Sequence, residues 1–183
     1  LNDVPKLWER LNENVILPND AFASPLWKEA LSASERPPWA EVAAALRAER
    51  LGQQAHIASD VIRSSNATML LGASGDVEVT DHGVVFRFDA TQQMYSSGNV
   101  TERHRMGNLD LRGETVVDAF SGIGYYTLPM LVRGRAEHVH ACDINPDAAA
   151  WLLKGARANG VQHRLTQHVG DNRTTLPALQ GVA

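Results

Sequence analysis

The sequence predicts an α/β protein, in which a Rossmann-like, doubly wound domain, incomplete on its C-terminal side, follows a small α+β domain with an antiparallel β-meander. Two observations predict it. From Thr115 onward apolar strand-like runs alternate with helical ones: Thr115–Phe120, Tyr125–Val132, His138–Asp143, Pro146–Asn159 and Leu165–Val169. Strand, helix, strand, helix, strand implies right-handed crossovers and a parallel sheet. Upstream, three short β-rich runs, Thr68–Leu71, Val77–Thr80 and Val84–Phe88, are separated by Ala73-Ser74-Gly75-Asp76 and Asp81-His82-Gly83, which hold the Gly and Asp of tight turns. A boundary near residue 110 follows, with residues 1–110 as the first domain and 111–183 as the leading part of the second.

Each element has its own signal. Residues 1–35 are mixed, with a turn at Leu17-Pro18-Asn19-Asp20. Trp8, Trp27 and Trp39 are expected as core anchors of this region. Pro37-Pro38-Trp39 opens a helix from Ala40 to Arg50, and Gly52 is its expected stop. The chain reaches Leu179-Gln180-Gly181-Val182-Ala183 where a fourth parallel strand is due, so the sheet is expected to continue beyond Ala183. At the other end Leu1 is not an initiator Met, and the natural start is expected upstream.

Composition narrows the function. The 183 residues are 44% hydrophobic and 21% charged, an ordinary globular balance. Cys142 is the only cysteine, which excludes a disulfide framework and a Cys-based zinc cluster. No histidine pair has the helical i, i+4 spacing of a zinc site. His138 and His140 share a strand face without a third ligand nearby, so no metal is expected. No apolar run approaches the ~20 residues of a membrane helix. A cytoplasmic location is the default. The net charge of −4 weighs mildly against a wholly basic nucleic-acid-gripping surface but allows a local patch.

A candidate ligand site lies at the strand ends. Val116-Val117-Asp118 runs into Ala119-Phe120-Ser121-Gly122-Ile123-Gly124 and then a helix. Gly122 and Gly124 permit a sharp turn and a close ligand approach that a Cβ would block. A third glycine of the dinucleotide fingerprint is missing, so a nucleoside with an amino-acid tail fits better than a pyrophosphate. An ordinary strand-to-helix turn competes with that reading. Asp143 closes the second strand about 20 residues on, where a carboxylate can accept both ribose hydroxyls. Helix capping is its competing role, but Asn145, just before Pro146, is the better placed cap. Asp171 and Asn172 end the third strand, a carboxylate and an amide suited to reading an adenine, or else a simple turn. Asp118, Asp143 and Asp171 are expected to converge on one hollow beside Gly122.

These residues resemble the Trm5/Tyw2 family of class I S-adenosylmethionine-dependent tRNA-modifying transferases, over most of the chain. The most specific stretch runs from Phe88-Asp89-Ala90-Thr91 through Ser96-Ser97-Gly98-Asn99-Val100-Thr101-Glu102-Arg103 to Met106. Its Ser97-Gly98-Asn99 resembles the wybutosine-synthesising branch, whereas the guanine-N1 methyltransferases typically carry a Pro-Arg-Leu-type sequence there. Asp118–Pro129, Cys142–Pro146 and Gly170–Arg173 are similar to that branch as well. One departure is Asp143, where many relatives have Glu.

The resemblance implies S-adenosylmethionine as cofactor, with contacts from Ser96, Arg103, Asp143, Asp171 and Asn172 above the Gly122–Gly124 backbone. Arg103 would bind the methionine carboxylate and Ser96 would orient the tail. It implies a tRNA partner, at the anticodon region of phenylalanine tRNA. The implied reaction moves the 3-amino-3-carboxypropyl group onto a tricyclic guanosine and releases methylthioadenosine. It names no general base. It places the segment that holds the target base beyond Ala183, so the 183 residues alone are expected to be inactive. The alternatives are a guanine-N1 methyltransferase, a non-catalytic module that keeps the sheet, and a small-molecule methyltransferase, which would need no tRNA-binding surface.

Overall fold

A computed structural model describes residues 4–55, 67–93, 95, 97–179 and 181. They group into two compact units, one of residues 1–77 and 89–94, the other of 78–88 and 95–183. The sequence expectation placed everything before residue 110 in one domain. In the structure residues 78–88 and 95–110 group instead with the parallel sheet.

The first unit is built on a sheet of order β1-β2-β3-β4. Strand β1 (Glu9–Leu11) runs antiparallel to β2 (Asn14–Leu17), across a two-residue link in which Asn12 takes φ +56°. Helices α1 (Pro25–Ala33) and α2 (Trp39–Ala45) cross over to β3 (Arg50–Gln53), which pairs parallel to β2. Ser24 starts α1 by accepting the Trp27 N–H, with Pro25 at the first helical position. The expected Ala40–Arg50 helix is shorter than its composition suggested. Arg47 turns left-handed (φ +51°), and Arg50 to Gln53, including the expected stop Gly52, become a strand. Val15, Leu17, Phe22, Ala43 and Leu51 form the core, with Trp27 meeting Phe22 edge-on at 4.9 Å and Trp39 at 5.8 Å. Trp8, expected as a core anchor, is exposed instead.

The expected three-strand meander divides. Strand β4 (Thr68–Leu71) pairs antiparallel with β3. Strands β5 (Asp76–Asp81) and β6 (Val84–Asp89) form a separate two-stranded sheet. Their turn places His82 at φ +49° and Gly83 at φ +78°, positive at both central residues as the tightest hairpin turns require.

In the second unit a short turn at Ser97–Asn99 leads into α3 (Val100–Gly107). Then come β7 (Thr115–Asp118), α4 (Thr127–Val132), β8 (His138–Asp143), α5 (Pro146–Ala158), β9 (Leu165–Val169) and the short α6 (Asn172–Thr175). The sheet has order β7-β8-β9 and is parallel throughout, as the alternating runs predicted. Asn145 caps α5 by accepting from the N–H groups of Asp147 and Ala148. Leu128, Leu131, Val139, Leu152 and Ala156 are buried between sheet and helices. Asn159, at the end of α5, receives the Val85 N–H (3.0 Å) and donates to the Val85 carbonyl (2.7 Å). That bidentate clasp fixes the β5–β6 hairpin to the parallel-sheet unit. No helix among the described residues is long and apolar enough to cross a membrane.

Candidate cofactor site

Parallel pairing sets Asp118 beside Ala141 and Asp143 beside Val169, so the three strands end along one edge of the sheet. Open α/β sheets bind their ligands outside that edge. The chain leaving β7 turns back at Gly122 (φ +52°) and Gly124 (φ +98°), a path that favours residues without a Cβ. Asp143 Oδ2 accepts the Gly122 N–H at 2.7 Å, and its Oδ1 accepts the Asn145 N–H at 2.9 Å. Ser121 N–H donates to the Cys142 carbonyl at 2.9 Å. One carboxylate therefore joins the tip of β8 to the glycine turn. Each of its oxygens has a second acceptor site, the requirement for receiving two vicinal hydroxyls.

Asp118 lies against the same turn. Its Oδ2 accepts the Thr127 hydroxyl at 2.7 Å and its Oδ1 the Phe120 N–H at 3.3 Å. Burial pushes its carboxyl above the ordinary range, against the Thr127 and Phe120 hydrogen bonds, and the nearby Asp143 charge adds to the rise. The folded state thus holds this proton more tightly than the unfolded chain does. The resulting penalty is absent below the ordinary carboxylate pKa and grows as pH rises toward the raised value. Asp118→Asn, which cannot ionise, is expected to gain in stability relative to the parent as pH goes from about 4 to about 7. Urea unfolding at both pH values checks this, and a stability of the variant that falls relative to the parent as pH rises contradicts it.

At the third tip the two residues behave differently. Asn172 donates its side-chain amide to the Ala119 carbonyl, tying the start of α6 to the loop after β7. Asp171 caps α6 through the Arg173 N–H (2.9 Å) and pairs with the Arg173 guanidinium, which holds its carboxyl down at about 2. Asp118, Asp143, Gly122, Gly124 and Asn172 therefore meet around one turn, whereas the Asp171 carboxylate is engaged with its own helix. Ser96 lies outside the described residues.

Arg103 occupies a cage of its own. Only 2% of its side chain is exposed. Nε donates to Asp81 Oδ2 at 2.8 Å and Nη2 to the Tyr95 hydroxyl at 3.1 Å. The guanidinium carbon stands 5.1 Å from the Tyr95 ring centre, 5.8 Å from Phe86 and 6.0 Å from Tyr125. Tyr125 directly follows Gly124, so the cage abuts the glycine turn. Sequence reasoning missed Asp81, Tyr95, Tyr125 and Thr127. Thr127, opening the helix after a Gly-x-Gly turn, was the one that could have been found as a partner for Asp118.

The donor set suits a nucleoside. Three large apolar side chains stand exposed beside the strand tips: Phe120 (81%), Ile144 (44%) and Val169 (52%). An apolar rim next to a half-buried carboxylate is what a flat base joined to a ribose needs. Among the described residues, no group of three or more His, Cys, Asp or Glu side chains is arranged to hold a metal ion.

Comparison with known proteins agrees with this architecture. Residues 77–182 match the family model of the TRM5/TYW2 methyltransferase domain. The tRNA wybutosine-synthesizing protein 2 homolog of Danio rerio is 44% identical over 171 residues, covering 93% of this chain and 41% of the relative. The tRNA wybutosine-synthesizing protein 2/3/4 of Arabidopsis thaliana is 40% identical over 183 residues, covering 100% of this chain and 18% of the relative. The crystal structure of P. horikoshii TYW2 in complex with MeSAdo superposes with a TM-score of 0.72 at 28% identity, covering 94% of this chain and 58% of that one. The chain thus spans less than half the length of these two curated relatives. With more than half of its residues matched by the family model, the chain belongs to the TRM5/TYW2 methyltransferase family.

Proposed function

We propose that this chain supplies the cofactor-binding part of an enzyme that transfers the aminocarboxypropyl group of S-adenosylmethionine to a tricyclic guanosine beside the anticodon of tRNA. The observation that carries the cofactor assignment is Asp143, bound to Gly122 at 2.7 Å next to an apolar rim. The relatives named as wybutosine-synthesizing, together with Ser97-Gly98-Asn99 ahead of α3, support aminocarboxypropyl over methyl transfer. Phenylalanine tRNA as the partner and a cytoplasmic location belong to the same reading.

When bound, the cofactor supplies a sulfonium whose three attached carbons are each electrophilic. The protein's part is to decide which carbon faces the nucleophile, a matter of positioning. Asp143 orients the ribose through its two carboxylate oxygens. Asn172 holds the Ala119 carbonyl and so the shape of the loop beside the base. Arg103 and Ser96 fix the amino-acid tail. Arg103 does so as a charge-assisted donor to the carboxylate.

The by-product decides the reaction. The full-length protein, given S-adenosylmethionine and tRNA bearing the tricyclic guanosine, is expected to release methylthioadenosine. Release of S-adenosylhomocysteine instead would make it a methyltransferase. Binding of cofactor without either product would make it a binding module.

A further inference from the structure

On the edge of the parallel sheet opposite the strand tips, the segments leaving α3 and α4 meet before they enter β7 and β8. The Leu111 N–H donates to the Gly134 carbonyl at 2.8 Å, and the Glu137 N–H to the Glu114 carbonyl at 2.9 Å. Beside them lies an open basin of about 550 Å³, lined by residues 107–110, Arg112 and residues 132–135. Arg112, Arg133 and Arg135 line it and are all exposed, and Asp110 is the one carboxylate among the lining residues.

Local partners account for two of the arginines. Arg112 chelates Asp110, Nε to Oδ1 at 2.7 Å and Nη2 to Oδ2 at 2.6 Å, which holds that carboxyl down at about 2. Arg133 is a strap: Nη2 donates to Asn108 Oδ1 at 2.7 Å and Nη1 to the His82 carbonyl at 3.0 Å. The C-termini of α3 and α4, which end at this edge, amount to about half a negative charge each. Together with Asp110 they offset two of the three positive charges, so about one remains. Arg135 is the group that carries it. Among the described residues none takes a hydrogen bond or ion pair from its side chain, and its charge acts on Asp110 across the basin.

Arg133 also joins the basin to a stacked pair of imidazoles, His82 and His104, 4.2 Å apart and 13° from parallel. His104 Nε2 meets Asn108 Nδ2 at 3.3 Å, so rings, amide and arginines form one continuous strip. Guanidinium groups beside flat rings and an amide suit a sugar-phosphate backbone, whose phosphates take charge-assisted hydrogen bonds.

We propose that this basin binds the phosphate backbone of a tRNA stem, with Arg135 as its principal phosphate contact. This rests on the tRNA reading given above. Strand β8 is six residues long at about 3.3 Å each, so the basin lies roughly 20 Å from the strand tips. It takes backbone remote from the reacting base.

Binding of phenylalanine tRNA to the full-length protein, followed over a series of salt concentrations, tests the site. Arg135 has a left-handed backbone (φ +57°), which asparagine tolerates, so Arg135→Asn removes the charge without straining the turn. It is expected to weaken binding about three- to fivefold, the contribution of one exposed ion pair. The fall of log affinity with log salt is expected to become shallower by about one. Arg135→Lys keeps the charge and is expected to keep the parent's slope. Asp110→Asn is expected to tighten binding, because it removes the carboxylate that competes with phosphate for Arg112. Melting temperature and S-adenosylmethionine affinity are expected to match the parent's in all three variants. Parent-like affinity and slope in Arg135→Asn, or weaker binding in Asp110→Asn, overturns the site. Weakening in Arg135→Asn that comes with a lower melting temperature overturns it too. A parent protein that does not bind tRNA overturns the tRNA reading itself.

Discussion

Gly124→Ala is expected to cost about 2–5 kcal/mol of folding stability, enough to remove a large share of a typical domain's margin. Two independent effects add. The backbone at Gly124 has φ +98°, where an L-residue meets its own carbonyl, at roughly 1–2 kcal/mol. A Cβ there would also lie 2.5 Å from Leu152 Cδ1 and 2.8 Å from Leu128 Cγ. Both leucines are fully buried, and Leu128 Cγ is a branch point that moves only with its whole side chain. Overpacking of that kind costs about 1–3 kcal/mol. Gly122→Ala is the control. At φ +52°, with its nearest neighbour the Tyr125 ring at 3.7 Å, it carries the backbone cost alone. Urea unfolding of the two variants is expected to show Gly124→Ala as clearly the worse. Equal losses would mean that the leucines relax and that conformation alone requires glycine.

This contrast bears on how much of the structure could be read in advance. The parallel half was legible because each of its signals is local. Asn145-Pro146 starts a helix wherever it occurs, and Val139-His140-Ala141-Cys142 is a buried strand by composition. The two glycines mark a turn, and Asp118 and Asp143 close their strands on schedule. The first unit was legible only in part, in α2, β4 and the core packing of Trp27 and Trp39, and for a physical reason. Strands β1 and β2 are three and four residues long, and all four residues of β2 are buried, so no alternation betrays it. Gly52 looked like a helix stop, whereas it lies in β3 with Ile16 Cδ1 only 2.7 Å from where its Cβ would be. In the site, what escaped notice was long-range pairing. Asp81 reads as a hairpin-turn residue, and Arg103, expected at the cofactor's tail, carries no local sign of a carboxylate partner. Only the fold, bringing residues 22 positions apart together, shows them as a buried pair. Asp171, expected in the hollow, is instead engaged by Arg173 two residues on, a local competitor.

Arg103→Met is expected to be the second most damaging change, at about 3–5 kcal/mol, the usual penalty for breaking a buried ion pair from one side. Methionine fills much of the volume between Phe86, Tyr95 and Tyr125 and packs well on aromatic rings. Lost packing is therefore a small part of the cost. The larger part falls on Asp81, whose side chain is only 15% exposed and loses the guanidinium it pairs with. If so, removing the second charge should restore what removing the first took away. Asp81→Leu in the Arg103→Met background is expected to regain more than half of the lost stability, since an apolar pair of similar volume often matches a buried ion pair. The same doubly substituted protein should still fail to distinguish S-adenosylhomocysteine from methylthioadenosine. Stability recovered without tail recognition means that the pair is kept for the ligand rather than for the fold. Stability that stays low in the double variant assigns the loss to packing in the aromatic cage, and the pair then earns its place as structure.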